Sequence, residues 1–360
     1  MKILIVGATG ITGQRVASEL AGQDPVSQVV LAARDARKLL RLATSLGGAD
    51  RGISTTVLDA LDQAALEDAL TTCAAVVGSV GCHHDAAMGI ARAALAAKVP
   101  AVLVSGITGE DAATLQGTTP VVTGCGLAPG IIDILAAAAG AKMHAVDQVE
   151  AAVATSLRDV WGPPLMARLA ASLSRPQGEA GQAGLAHPLV RLVYFPEPVG
   201  WSETVPVNGV VEQSLARLFP GSRPAVEFRL GLTERAAMDA VRAAGRLARA
   251  VPPARALARA FFLRALPPVA KVSASAGWTA ARVDVRGARA GRSHVVSLGI
   301  VDRGSNLVAL PLAWAAVEAA SGRLRGAGLV GPADALDAGS LFAYLERRGV
   351  RAARLRPAPL

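Results

Sequence analysis

The first thirteen residues constrain this chain more than any other stretch: an apolar run, Ile3-Leu-Ile-Val6, leads directly into glycines at positions 7, 10 and 13. β-Branched and leucine residues before Gly7, with apolar Val16, Ala17 and Leu20 after Gly13, read as strand, tight turn and helix. In such a unit the first glycine permits the turn. The second lets backbone approach a pyrophosphate, and the third lets the helix pack close to the strand. Free N–H groups and the positive end of a helix starting near Ile11 suit that anion. Gly7, Thr9, Gly10, Ile11, Thr12 and Gly13 are therefore candidate dinucleotide-binding residues.

At 360 residues the chain is long for one core, and a hydrophobic fraction of 52% supports large buried interiors rather than extended disorder. Cys73, Cys82 and Cys125 have neither CxxC nor metal-ligand spacing, so no disulfide framework and no metal site is expected, and a reducing, cytoplasmic setting follows. The opening apolar stretch is only a strand long, which reads against a signal peptide, and no window reads as membrane-spanning. Charge is divided unevenly. Residues 1–150 carry 10 Lys+Arg against 14 Asp+Glu, and residues 151–360 carry 27 against 14. The basic second half suits an anionic partner, such as a small carboxylate or a carrier-bound substrate. With aromatics at 3% and no nucleic-acid module, nucleic acid is not expected. Basic helices predicted over 234–250 and 254–265 read as surface helices whose arginine stems cover apolar surface, rather than as membrane anchors.

The first 125 residues alternate strands (3–6, 28–33, 54–58, 74–80, 100–105, 120–123) with helices (14–21, 37–46, 63–71, 85–97), which predicts a doubly wound parallel α/β sheet of Rossmann type. Beyond Gly126 the pattern changes. Strands predicted at 148–157, 225–232, 271–286 and 294–301, the last two joined by a turn across Gly287–Gly291, read as a second α+β domain with a mixed or antiparallel sheet. A loop at 174–184, rich in Gly, Gln and Pro, reads as a lid or an insertion. The expected division is a cofactor domain at 1–126, a substrate and dimerisation domain at 127–305, and C-terminal helices at 306–360 returning to the first domain.

At the end of the second strand, where an acidic residue commonly binds the ribose of NAD, the chain reads Ala32-Ala33-Arg34-Asp35. Arg34 suits a 2′-phosphate, which favours NADP, while Asp35 leaves NAD open as well as a role as helix cap. Asp59, ending the third strand, falls where adenine lies; Ser79, Val80 and Gly81 fall where the nicotinamide ribose passes. Cys82-His83-His84-Asp85 follows the fourth strand, so His83, His84 and Asp85 are the acid/base candidates. Tyr194 and Tyr344 have no lysine four residues on, so the catalytic pair of short-chain dehydrogenases is absent.

The segment Gly124-Cys-Gly-Leu-Ala-Pro129-Gly130-Ile-Ile-Asp133 reads as a strand end, a loop and a helix start whose N–H groups can receive a carboxylate or carbonyl. With Gly7–Gly13 it resembles the saccharopine dehydrogenase-like family. The similarity continues through Tyr194–Gly200, Phe228–Leu232, Val285–Gly287 with Arg289–Gly291, Gly331–Asp337 and Leu341–Gly349. The resemblance implies an NAD(P)-binding first domain, Pro129 and Gly130 beside the nicotinamide, dimerisation through the second domain, and hydride transfer. After the fifth strand the chain reads Val102-Leu-Val-Ser105-Gly106, without the cysteine or aspartate of lysine-pathway members, which points away from saccharopine itself. The expected activity is NADP-dependent reduction of a C=N or related double bond in a carboxylate-bearing substrate held in an interdomain cleft, with Arg158 or Arg229 as carboxylate clamps. Reduction of an enoyl or carbonyl group on a carrier-bound thioester is the alternative enzyme reading. A catalytically silent NADP-binding sensor is the reading outside enzymology.

Overall fold

The computed structural model describes residues 1–81, 83–157, 190–207, 209–235, 238–239 and 277–356. From the amino end the order is β1 (Lys2–Val6), α1 (Ile11–Leu20), β2 (Gln28–Ala33), α2 (Ala36–Ser45), β3 (Ile53–Val57), α3 (Gln63–Leu70), β4 (Ala75–Gly78), α4 (His84–Ala97), β5 (Ala101–Leu103), α5 (Glu110–Ala113) and β6 (Pro120–Val122). There follow α6 (Ile131–Gly140), β7 (Ala145–Thr155), β8 (Arg191–Tyr194), β9 (Trp201–Pro206), α7 (Val210–Arg217), β10 (Ala225–Leu232), β11 (Trp278–Arg289) and β12 (Arg292–Arg303). The last elements are α8 (Gly304–Ala320), β13 (Gly328–Val330), α9 (Pro332–Ala335), α10 (Ala338–Arg347) and β14 (Arg351–Leu355). The chain forms two compact units, one of Met1–Ile131 with Ser305–Leu345 and the other of Ile132–Gly304 with Glu346–Leu360.

In the first unit a parallel sheet has the order β13-β6-β5-β4-β1-β2-β3. The chain builds outward through β2 and β3, then returns to build the other way from β4, so the winding reverses between β1 and β4. Open α/β sheets bind ligands at that reversal, outside the carboxyl ends of the strands. The central strands are continuous apolar runs because helices cover both faces: Ile3, Leu4, Ile5 and Leu31 are wholly buried. Helix α1 turns Gly13, Val16, Ala17 and Leu20 inward, the spacing of one helical face. Asp35 and Asp62 cap α2 and α3 by accepting from the amides of Lys38 and Ala65. The C-terminal helices join this unit through Asn306, which accepts from Arg15 Nε at 2.9 Å, and Tyr344, which donates to Glu19 at 2.8 Å.

The second unit holds a mixed sheet of order β14-β12-β11-β7-β10-β9-β8, in which β7 and β10 pair in parallel and the other neighbours antiparallel. The β11–β12 hairpin closes in a two-residue turn, Ala290-Gly291, rather than across Gly287–Gly291. Both turn residues have positive φ, as a tight hairpin requires. Register places Arg282 and Asp284 of β11 on one face with Ala152 and Glu150 of β7 and with Arg229 and Glu227 of β10. Arg282 is buried there. Its Nε and Nη2 donate to the two Asp284 oxygens at 2.7 and 2.8 Å, and its remaining N–H groups reach the carbonyls of Tyr194 and Arg356.

The expectation of helices over 306–360 meets two strands: Gly328–Val330 pairs with β6 in the first sheet, and Arg351–Leu355 pairs with β12 in the second. β4 stops at Gly78, two residues short of the expected end. Gly81, at φ +64°, turns the chain so that α4 starts at His84 with His83 as its N-cap. The 174–184 loop, the helix at 254–265 and all but the first residues of that at 234–250 lie outside the described residues.

Candidate functional site

The glycine turn lies beside the winding reversal. Gly7 sits at φ +84°, and a Cβ on it would stand 2.8 Å from the Ser79 carbonyl oxygen, so the exits of β1 and β4 are in backbone contact. Ser79 is buried, with its Oγ and its amide both donating to the Val6 carbonyl, at 3.0 and 2.9 Å. A Cβ on Gly13 would lie 2.3 Å from the Gly7 carbonyl oxygen, so α1 packs onto the turn with no room for a side chain. Gly10 differs. Its φ is −74°, and a Cβ there would meet Gly7 O at 3.3 Å, a crowding that a shift of a few tenths of an ångström relieves. The fold therefore demands glycine at 7 and 13 but only weakly at 10, the residue exposed to solvent.

Gly10 is the N-cap of α1, and no side chain caps that end. The first turn, Ile11-Thr12-Gly13, carries no acidic residue, so its amides form a positive, open end. Gln14 Nε2 donates to the Thr9 carbonyl at 2.8 Å and pins the turn from behind. Ile11 is 54% exposed, an uncovered apolar side chain at the mouth of the same turn.

Arg34 and Asp35 leave the end of β2 with opposite engagements. The Asp35 carboxylate accepts from the Lys38 amide at 3.0 Å, and that hydrogen bond holds its carboxyl below the ordinary range. Arg34 is exposed and makes no hydrogen bond or ion pair with a described residue. Past β3, Asp59 is exposed and accepts from the Leu61 amide at 3.1 Å. Val80 is half-buried and Gly81 exposed.

Pro129 and Gly130 belong to a loop folded tightly on itself. Gly126 bridges Gly130, a Cβ on Gly130 would stand 2.0 Å from the Gly126 carbonyl oxygen, and the Ile131 amide donates to that oxygen at 2.9 Å. Gly124, at φ +72°, backs onto the Pro129 ring. Cys125 between them is buried, and burial pushes its thiol up to about 12. Ser105, which sequence reasoning noted only as the absence of a cysteine or aspartate, joins this region. Its hydroxyl donates to the Gly81 carbonyl, and its own carbonyl accepts from the Gly124 amide at 2.9 Å.

The three acid/base candidates do not converge. His83 is exposed at the N-cap position, with no side-chain bond to the helix. His84 Nε2 stands 2.8 Å from Asp111 Oδ2, and His84 and Asp85 line a surface groove with Gln63, Glu67, Met88 and Arg92, a set that includes no residue of the glycine turn. Among the described residues, no group of three His, Cys, Asp or Glu is placed to hold a metal ion. None of the described helices is long and apolar enough to cross a membrane. Arg229 is corrected as a free carboxylate clamp: it is buried in β10, with Nε and Nη2 donating to Thr204 Oγ1 and O at 3.0 and 3.2 Å and Nη1 paired with Glu227. Arg158 and Cys82 lie outside the described residues.

Residues 3–160 match the family described as the saccharopine dehydrogenase NADP binding domain. That likeness covers a little under half of the chain. The saccharopine dehydrogenase-type fold extends to the whole molecule. Apo saccharopine dehydrogenase (L-Glu forming) from Saccharomyces cerevisiae superposes with a TM-score of 0.70 at 14% identity, over 99% of this chain and 100% of that one. Pen from Bacillus thuringiensis is similar over 29% of this chain and 38% of its own, at 20% identity and a TM-score of 0.27. Triphenylmethane reductase from Citrobacter sp. is similar over 29% and 37%, at 25% identity and a TM-score of 0.25. No curated protein matches the sequence. The glycine turn, Arg34, Asp59, the Ser79–Gly81 exit and the Pro129 loop all lie inside the saccharopine dehydrogenase NADP-binding match.

Proposed function

We propose that this protein is an NADP-dependent reductase acting on a C=N or related double bond in a carboxylate-bearing substrate. Arg34 carries the cofactor half of the reading. It is exposed and has no partner among the described residues, while the adjacent Asp35 carboxylate is held at the Lys38 amide. A planar cation suits a ribose 2′-phosphate, and a carboxylate engaged as a cap suits a 2′-hydroxyl less well. The family match supports the same cofactor.

In this reading the amides of Ile11, Thr12 and Gly13 take the pyrophosphate past Thr9 and the bare Gly10, with Gly7 forming the turn. Asp59 borders the adenine, Ser79, Val80 and Gly81 border the nicotinamide ribose, and Pro129 and Gly130 border the nicotinamide. When bound, NADPH supplies a hydride. The chain has to orient the acceptor and deliver one proton, which for an imine goes to nitrogen. We assign that proton to His83, with Asp85 in the first turn of α4 beside it, and leave His84 to its bond with Asp111. Two copies of the chain, assembled through the second unit, complete the proposal.

The test is NADPH consumption by the purified protein, first against pooled amines with keto acids and separately against enoyl thioesters. Oxidation that requires amine and keto acid together is the expected result. Oxidation with the thioesters alone would move the substrate to a carrier-bound chain, and tight NADPH binding without oxidation in either pool would make the protein an NADP-binding sensor.

A further inference from the structure

Ser105 follows β5 by two residues and is bonded to the strand exits on both sides of it. Its hydroxyl donates to the Gly81 carbonyl beyond β4, and its carbonyl accepts from the Gly124 amide beyond β6, at 2.9 Å. The preceding bonds are the ordinary continuation of the sheet, Val104 N–H to Gly78 O at 3.0 Å and Cys125 N–H to Leu103 O at 2.8 Å. The Ser105 hydroxyl is thus a side-chain tie laid across the sheet edge, beyond the backbone ladder. Both tied residues have positive φ, Gly81 at +64° and Gly124 at +72°, and Gly124 is in contact with the Pro129 ring. A shift of the Gly81 loop relative to the Pro129 loop therefore requires breaking a bond to Ser105.

We propose that Ser105 is a positioning residue for the nicotinamide half of the cofactor, fixing the separation of the two loops that border it. The inference rests on the cofactor reading given above. Ser105 has no bond to the glycine turn, to Arg34 or to Asp59, so its loss acts on one end of the cofactor and spares the other. The hydroxyl does no chemistry. It holds the Gly81 carbonyl, and through the backbone it holds Val80 and Gly81 against the Gly124–Gly130 loop.

Calorimetric titration of the full-length protein with NADPH, and separately with 2′-phospho-ADP, which keeps the adenosine half and the pyrophosphate but lacks both the nicotinamide and its ribose, tests this directly. Ser105→Ala should weaken NADPH binding by about five- to tenfold, the worth of one net hydrogen bond, and leave 2′-phospho-ADP unchanged. Ser105→Thr, which keeps the hydroxyl, should restore NADPH binding. Ser105→Cys, close in size and a weaker donor, gives the same comparison if the alanine variant loses its fold. Equal weakening of both ligands, or weakening of neither, would overturn the assignment. Wild-type protein that binds neither ligand would overturn the cofactor reading and this inference with it.

Discussion

Gly7 and Ser79 press backbone against backbone where the winding of the first sheet reverses: a Cβ on Gly7 would stand 2.8 Å from the Ser79 carbonyl oxygen. That contact joins the exits of β1 and β4. The three glycines of the turn consequently answer to different demands, two from the protein and one from what approaches it.

Substituting them separates those demands. Gly13→Ala drives a methyl to 2.3 Å from the Gly7 carbonyl oxygen and should destabilise the fold by about 1–3 kcal/mol, the usual cost of overpacking. Gly10→Ala should leave the thermal midpoint nearly unchanged and, on the proposed reading in which the pyrophosphate passes Gly10, weaken NADPH binding at least tenfold. Paired melting curves and NADPH titrations check both; a Gly10 variant that melts early but binds normally would reverse the assignment.

Acid should loosen two helix starts. Asp35 is held below the ordinary aspartate value of 3.8 by its bond from the Lys38 amide, and Asp337 is lowered chiefly by the Ser340 hydroxyl. A carboxyl depressed in the folded state contributes stability that is fully present above the ordinary value and is lost as pH falls through the folded one. Asp35→Asn with Asp337→Asn keeps the capping oxygens and removes the titration. Denaturation across pH 2–5 should therefore show the wild type losing stability relative to the double variant only toward the acid end.

Cys125 should resist thiol reagents. It is a buried member of the Gly124–Gly130 loop, with its thiol pushed up to about 12 by burial, whereas Cys73 is only partly covered. Alkylation at neutral pH followed by peptide mass spectrometry should find Cys73 modified well before Cys125, with Cys125 reacting once denaturant is added. Early modification of Cys125 would mean that the loop opens in the native state.

The sequence marks β1 to β6 to within about two residues: β1, β2, β4, β5 and β6 are apolar runs buried in the sheet, β3 at its edge is Ile-Ser-Thr-Thr-Val and β-branched at four of five positions, and the turn residues between them are distinctive. The second sheet is legible only at its centre. β7, β10, β11 and β12 are long enough to carry an apolar pattern, but β14 reads Arg-Ala-Ala-Arg-Leu and has no such signal; it is a strand because β12 offers it an edge. β8 and β13, of four and three residues, are defined in the same way by their neighbours. The glycine turn and Arg34 could be read from local spacing. The His84–Asp111 bond, the Ser105 tie and the burial of Arg229 could not, because each depends on a residue distant in the chain or on the neighbouring strand's register.

The most direct test compares NADPH with NADH binding in wild type and in Arg34→Ala. Arg34 stands exposed, with no partner among the described residues, beside a carboxylate that is already engaged, so the wild type should bind NADPH at least tenfold more tightly than NADH. Arg34→Ala should remove most of that preference while leaving NADH binding nearly as it was. Equal binding of the two cofactors by the wild type, or a variant that loses both equally, would contradict the account.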